Sequence, residues 1–367
     1  MTRYKLSEIC KIVSGSTPKT NVPEYWDGEN VWITPAEITD KTFIVYDSQR
    51  KLSNLGVEKT HLSSFPKGTV ILSSRAPIGK VAIAGVEMFC NQGFKNLICS
   101  EKIMNEYLYW FLKGKTKYLN SLGRGATFKE LSAKIIGNIE LEVPSIQEQK
   151  EVVIRLRKID QIIGVFEREV ELLDELIKAR FVEMFGNPVS NSKDLPVQKM
   201  NNVAPICQYD GSFEESVWLL NLDMVESQTG RIINYNIVSK DEIGGSVCTF
   251  DENNVLYSKL RPYLNKVVIP DGKGYATSEL VPLRPDPKII NRIYLAYLLR
   301  SNEFVEMIKE KVAGAKMPRV SMSDFREFNI PVPPLELQNQ FASFVQEIDK
   351  SRLLSNHSLF LIKSIIF

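Results

Sequence analysis

Seven stretches of the chain set basic side chains beside glycine, asparagine, glutamine or an aromatic ring, the residue types that meet phosphates and base edges. In the first half, Lys19 lies in SGSTPKTNVPEYWDG (14–28), and Arg75 and Lys80 flank a Pro-Ile-Gly turn in SSRAPIGK (73–80). Asn91, Gln92 and Lys95 surround Phe94 in CNQGFKNL (90–97), while Arg124 and Lys129 lie in LGRGATFK (122–129). The second half has Lys259, Arg261 and Lys266 in SKLRPYLNK (258–266), Lys273 in KGYATSE (273–279), and Lys316 and Arg319 in GAKMPR (314–319). Arginine and lysine neutralise phosphates, arginine also forks onto guanine, and asparagine and glutamine pair with adenine. A charged loop is by default a solvated one. What lifts these above that default is position, because three of them recur at matching places in the two halves.

Chemistry of bond making is not written in the chain. GNPVS (186–190) begins like an Asn-Pro-Pro-aromatic methyltransferase motif and then departs from it, so it reads as a helix stop. Gly79-Lys80 is followed by Val81 and lacks the upstream glycine of a phosphate loop. Pro270-Asp271 with Glu279 would need a lysine at 281 for a nuclease and has Val281. His61 and His357 stand in unrelated contexts, and the five cysteines (10, 90, 99, 207, 248) form no Cys-x-x-Cys pair. That excludes a zinc framework and predicts free thiols in a cytosolic protein. No run of 18 apolar residues occurs, and the polar start MTRYKLSEICKIVSG lacks the apolar core of a signal peptide. A cytoplasmic protein without membrane contact, catalytic residues or a cofactor or metal of its own is expected. Net charge is only +2, so contact with DNA must use local basic clusters on a near-neutral body; residues 1–142 carry 19 Lys and Arg against 14 acids, residues 188–331 carry 17 against 18.

What positions these loops is an internal repeat. VPSIQEQKEVVIRLRKID (143–160) returns as VPPLELQNQFASFVQEID (332–349), with Pro144 and Pro333, Gln149 and Gln338, and Asp160 and Asp349 all 189 positions apart. GATFKELS and GAKMPRVS repeat at the same offset, LYWFLKG and LAYLLRS at 187, VWITPAEI and VWLLNLDM at 186. VILSSRAPIGKVAIA and VLYSKLRPYLNKVVIP align with a one-residue slip. Each half is therefore one globular unit followed by one helix. Within a unit, short β-like runs precede a single amphipathic helix instead of alternating with helices, which favours α+β over a doubly wound parallel sheet. The boundaries predicted are a domain over 1–142, a helix over 143–187, a second domain over 188–331 and a second helix over 332–367.

The first helix has an apolar seam with steps of four and three: Val152, Leu156, Ile159, Ile163, Phe166, Val170, Leu173 and Ile177. Its repeat reads Phe341, Val345, Ile348, Arg352, Ser355, Leu359, Ile362 and Ile366, so that Arg352 and Ser355 are expected to weaken its middle. Two such seams predict that the helices pack on each other, antiparallel in a pseudo-two-fold arrangement of the halves, instead of each lying only on its own domain.

The twice-written helix start, the ELLDELIKARFVEMFGNP helix exit, the SGSTP…YWDG…VWITPAEI opening and SKLRPYLNK…YATSELVPLRP together resemble the specificity subunits of type I restriction-modification systems over nearly the whole chain. The resemblance implies two target recognition domains, each reading one part of a bipartite double-stranded DNA site, held apart by a coiled-coil spacer. It also implies two methyltransferase subunits carrying S-adenosylmethionine, and restriction subunits carrying ATP and Mg. A specificity-like scaffold or inhibitor that docks methyltransferase subunits, or a specificity subunit serving a fused type II methyltransferase-nuclease, would share the same architecture.

Overall fold

A computed structural model describes residues 1–124, 129–313 and 317–366, without the side chains of 313, 365 and 366. Two compact units emerge, Met1–Phe166 with Ser358–Phe367, and Glu167–His357. Both are mixed α and β.

In the first unit a five-stranded sheet runs in the order Cys10–Ser14, Lys95–Cys99, Val70–Leu72, Val81–Ala84, Ile44–Val45, antiparallel except at its last pair. The strand VIL is apolar at every position because both faces are covered. Val70 and Leu72 join one core with Leu108 and Leu112 of the helix Asn105–Lys113, while Ile71 joins another with Ile33, Phe65 and Phe94. The second unit repeats this device. Val255 and Tyr257 of the strand Val255–Ser258 face one core, and Leu256 faces the other with Trp218 and Phe250. Each domain also closes on itself just before its long helix. Thr2–Lys5 pairs antiparallel with Glu140–Val143, and Val197–Lys199 with Asn329–Pro331.

The long helices are Ile146–Phe185 and Leu335–Ile366. At the first start, Ser145 and Glu148 form a reciprocal capping box, with the Ser145 N–H donating to the Glu148 carboxylate at 2.9 Å and the Glu148 N–H to Ser145 Oγ at 3.3 Å. Gly186, at φ +69°, ends that helix in the left-handed conformation that glycine takes without a steric penalty.

Gln149 and Gln338 explain why the helix start is written twice. Both are completely buried. Gln149 accepts from the Met104 N–H at 2.8 Å and donates to the carbonyls of Lys102 (3.0 Å) and Pro144 (2.9 Å). Gln338 accepts from the Asn291 N–H at 2.8 Å and donates to the carbonyls of Ile289 (3.1 Å) and Pro333 (2.7 Å). Each glutamine thus ties the first turn of a long helix to the main chain just ahead of its domain's amphipathic helix.

The seam needs one correction at its start. Val152 is exposed, and Val153 is buried in the first domain's core beside Leu156. The opening turns of the helix follow the face set by Gln149, and Arg157 pairs with Glu106 of that domain (Nε to Oε2 2.6 Å). Farther along, Ile159, Phe166, Val170 and Leu173 are half-buried and Ile163 and Ile177 are buried. Within the second unit the two helices run antiparallel. Phe341 packs edge-on against both Phe181 and Phe185, with ring centroids 5.5 Å apart in each case. Val345 and Ile348 continue the contact layer. Leu359 is buried and Ile362 half-buried, while the side chain of Ile366 lies outside the described residues.

Arg352 and Ser355 find polar partners across the pair. Arg352 donates to Asp174 of the facing helix at 2.7 Å and pairs with Asp349, and Ser355 Oγ donates to Glu169 at 3.2 Å. Asp174 also holds Arg231 at 2.8 Å. The polar interruption is matched by acids beside the facing seam, in a half-buried setting where an unmatched charge would be unfavourable. Asp174→Asn should therefore destabilise the second unit by about 2 kcal/mol in urea unfolding, because two guanidinium groups lose their shared carboxylate.

Candidate nucleic-acid interface

The same three loops meet in each unit, and backbone hydrogen bonds place them. In the first unit the Ser74 N–H donates to the Gly93 carbonyl at 2.7 Å, and the Leu131 N–H to the Ser74 carbonyl at 2.8 Å. In the second, the Lys259 N–H donates to the Glu279 carbonyl and the Val320 N–H to the Lys259 carbonyl, both at 3.0 Å. The middle loop is thus strapped to a loop on either side in both copies. Its root is a buried serine. Ser73 N–H donates to the Lys80 carbonyl (2.9 Å), and Ser258 N–H to the Lys266 carbonyl (3.0 Å).

Lys80 and Lys266 turn inward. Lys80 Nζ donates to the Pro35 carbonyl at 2.9 Å and Lys266 Nζ to the Leu222 carbonyl at 2.6 Å, each time the first residue of a 3-10 turn. Desolvation holds the Lys266 amine below the ordinary lysine range. Lys95 is buried, 3.6 Å from Glu130. These three lysines brace the loops from behind, and as placed their amines face main-chain carbonyls or a carboxylate.

The exposed cations of the clusters are Arg75, Arg124 and Lys129 in the first unit and Arg261 and Arg319 in the second, with Lys259 half-buried. Arg261 stands at φ +46°, two residues ahead of the exposed Tyr263, and its N–H donates to the Pro318 carbonyl at 2.8 Å. Lys19 is exposed on a loop that reaches the 90–97 loop through Ser16 N–H on the Cys90 carbonyl (3.0 Å) and Thr17 on Gln92. Asn91 spends its carbonyl on the Gly93 N–H at 2.9 Å. Lys273 stands apart. It precedes the strand Gly274–Thr277, whose far end leads to Glu279, and its amine donates to the Ser212 carbonyl at 3.2 Å. Lys316 lies outside the described residues.

Two acids inside these basic loops were not singled out as partners from the sequence. Glu130 holds Arg75 Nε at 3.0 Å. Glu279 takes Arg319 on two edges, Nε at 3.2 Å and Nη2 at 2.8 Å, and that guanidinium keeps its carboxyl below the usual range. The backbone pairs Arg75 with Glu130 as it pairs Leu260 with Arg319, so the acid of one copy stands where the other copy has an arginine. A signal was present, since each acid adjoins a basic loop, but no local spacing links Glu130 to Arg75.

The sequence profile of the type I restriction modification DNA specificity domain matches residues 1–173 and 223–362. The chain belongs to this family. It is 27% identical to the specificity subunit of the type I restriction enzyme MjaIX of Methanocaldococcus jannaschii, over 98% of this chain and 89% of that one. It is 26% identical to the EcoDI specificity subunit of Escherichia coli, over 67% of this chain and 63% of that one. In fold, this specificity-family chain is similar over its full length to a chain solved in work on complex assembly and conformational transition of the type I system, with a TM-score of 0.60, 16% identity and 95% of that chain covered. The type I S subunit of M. genitalium gives a TM-score of 0.50, 14% identity and 93% coverage. No helix among the described residues of this family member is long and apolar enough to cross a membrane.

Proposed function

We propose that this chain is the non-catalytic, cytoplasmic subunit that gives a type I restriction-modification enzyme its DNA specificity, reading a bipartite double-stranded target with one loop cluster per half-site. The observation that carries this reading is the three-loop cluster itself, built twice on one hydrogen-bonded frame with different side chains at its tips. Two unlike half-sites need two surfaces of one design and different chemistry. Phosphate contacts set register, and base-edge contacts by arginine and asparagine-type side chains select sequence. The long helices set the distance between half-sites, as a dimer axis does in symmetric DNA readers. Methyl transfer, with S-adenosylmethionine, belongs to two methyltransferase partners, and ATP- and Mg-dependent translocation and cleavage belong to restriction partners.

Exchange of residues 1–143, cut after the closing strand, for the same domain of a relative tests this. With the chain co-produced with its methyltransferase partner and methylated bases mapped genome-wide, one half-site should change and the other stay. A change in both half-sites contradicts modular reading. A parent chain that directs no methylation supports a docking scaffold instead.

A further inference from the structure

The pairing of Arg75 with Glu130 differs from that of Arg319 with Glu279 in the other loop cluster. Glu130 is held rigidly. Its N–H donates to the Arg124 carbonyl at 2.9 Å, its own carbonyl accepts the Arg124 N–H at 3.1 Å, and the next residue, Leu131, is strapped to Ser74. From that fixed backbone its carboxylate forms an ion pair with Arg75, 3.0 Å from Nε, and the Arg75 side chain is 45% exposed. No described residue accepts from either Nη of Arg75. Arg319, by contrast, commits both Nε and Nη2 to Glu279.

We propose that Arg75 reads a guanine of the first half-site end-on through its two Nη groups, with Glu130 as its positioning residue; this rests on the reading of the chain as a DNA-specificity subunit. The guanidinium is a planar fork, so a carboxylate beside Nε tethers it while its outer edge, with the two Nη groups, stays available. That pair of donors matches the O6 and N7 acceptors of guanine in the major groove. Glu130 also faces the buried Lys95 at 3.6 Å, so its carboxylate is shared between two cations, and the N–H donors that a neutral base edge requires remain on the Nη groups of Arg75.

The test uses the full chain co-produced with its methyltransferase partner, with methylated motifs mapped and methylation rates compared on the parental site and on sites altered one base pair at a time. Arg75→Gln and Arg75→Lys should both reduce discrimination at one G·C pair of one half-site by about 10- to 100-fold, since lysine keeps the charge and loses the fork. Preference in the other half-site should be unchanged, which also reports that the chain is folded. Glu130→Gln should reduce discrimination at that same pair by about tenfold and steepen the salt dependence of binding by about one charge. A uniform loss of rate with the motif intact would make Arg75 a phosphate contact and overturn the proposal, as would an unaltered motif with unaltered rates. Absence of any bipartite motif with the parental chain would overturn instead the reading on which it rests.

Discussion

Replacing Gln149 or Gln338 with leucine should destabilise the affected unit by about 3 kcal/mol or more, larger than any effect expected from a surface loop. Each glutamine is fully buried and makes three hydrogen bonds, one accepted and two donated. Leucine fills a similar volume but strands one main-chain N–H and two carbonyls away from water. An unsatisfied buried polar group costs about 1–3 kcal/mol. Gln149→Leu should act on the first unit and Gln338→Leu on the second, so urea unfolding of the two variants should show the loss in different transitions. All six partner atoms belong to the main chain. A clamp of that kind accepts any domain sequence that keeps the backbone path, which is what a frame carrying interchangeable readers requires. Loss of the clamp should also broaden the preferred gap between half-sites, because the helix start no longer holds a fixed angle to its domain.

The second large effect is geometric. Adding one heptad to each long helix within the antiparallel pair keeps every seam residue on its face, since seven residues turn the helix through nearly two complete turns. The added length is about 10 Å along the axis, at ~1.5 Å per residue. On DNA rising about 3.4 Å per base pair this lengthens the preferred gap by up to about 3 base pairs, less whatever the domains absorb in following the groove. Both helices must be extended together. Lengthening one alone would slide Arg352 off Asp174 and Ser355 off Glu169 and strand those charges.

The repeat was legible in the sequence because its most constrained residues are the ones whose geometry admits no substitute. Gln149 and Gln338 recur at an offset of 189 since each must satisfy the same three main-chain groups. The apolar positions from Leu156 to Ile177 are half-buried or buried, as a 4-3 spacing along one helix face requires. The first member of the seam was not legible. Val152 and Val153 are adjacent and chemically alike, and only the domain beneath the first turns decides which is buried. The partners of Arg352 and Ser355 are not legible in the seam, because Asp174 and Glu169 are more than 170 residues away and lie outside its periodicity. Among the loop residues, position was legible and direction was not. Lys80 and Arg75 share one turn, yet one amine is drawn inward to the Pro35 carbonyl while the other side chain stays exposed beside Glu130. Composition cannot separate a brace from a reader, because that choice is made by carbonyls and carboxylates from other segments.

That helices set spacing while loops set sequence is tested most directly by mapping methylated motifs for the parental chain and for the chain with both helices lengthened by a heptad, each with the same methyltransferase partner. The account predicts a bipartite motif in both, with identical half-sites and a longer gap in the second. An unchanged gap, or altered half-site sequences, would contradict it.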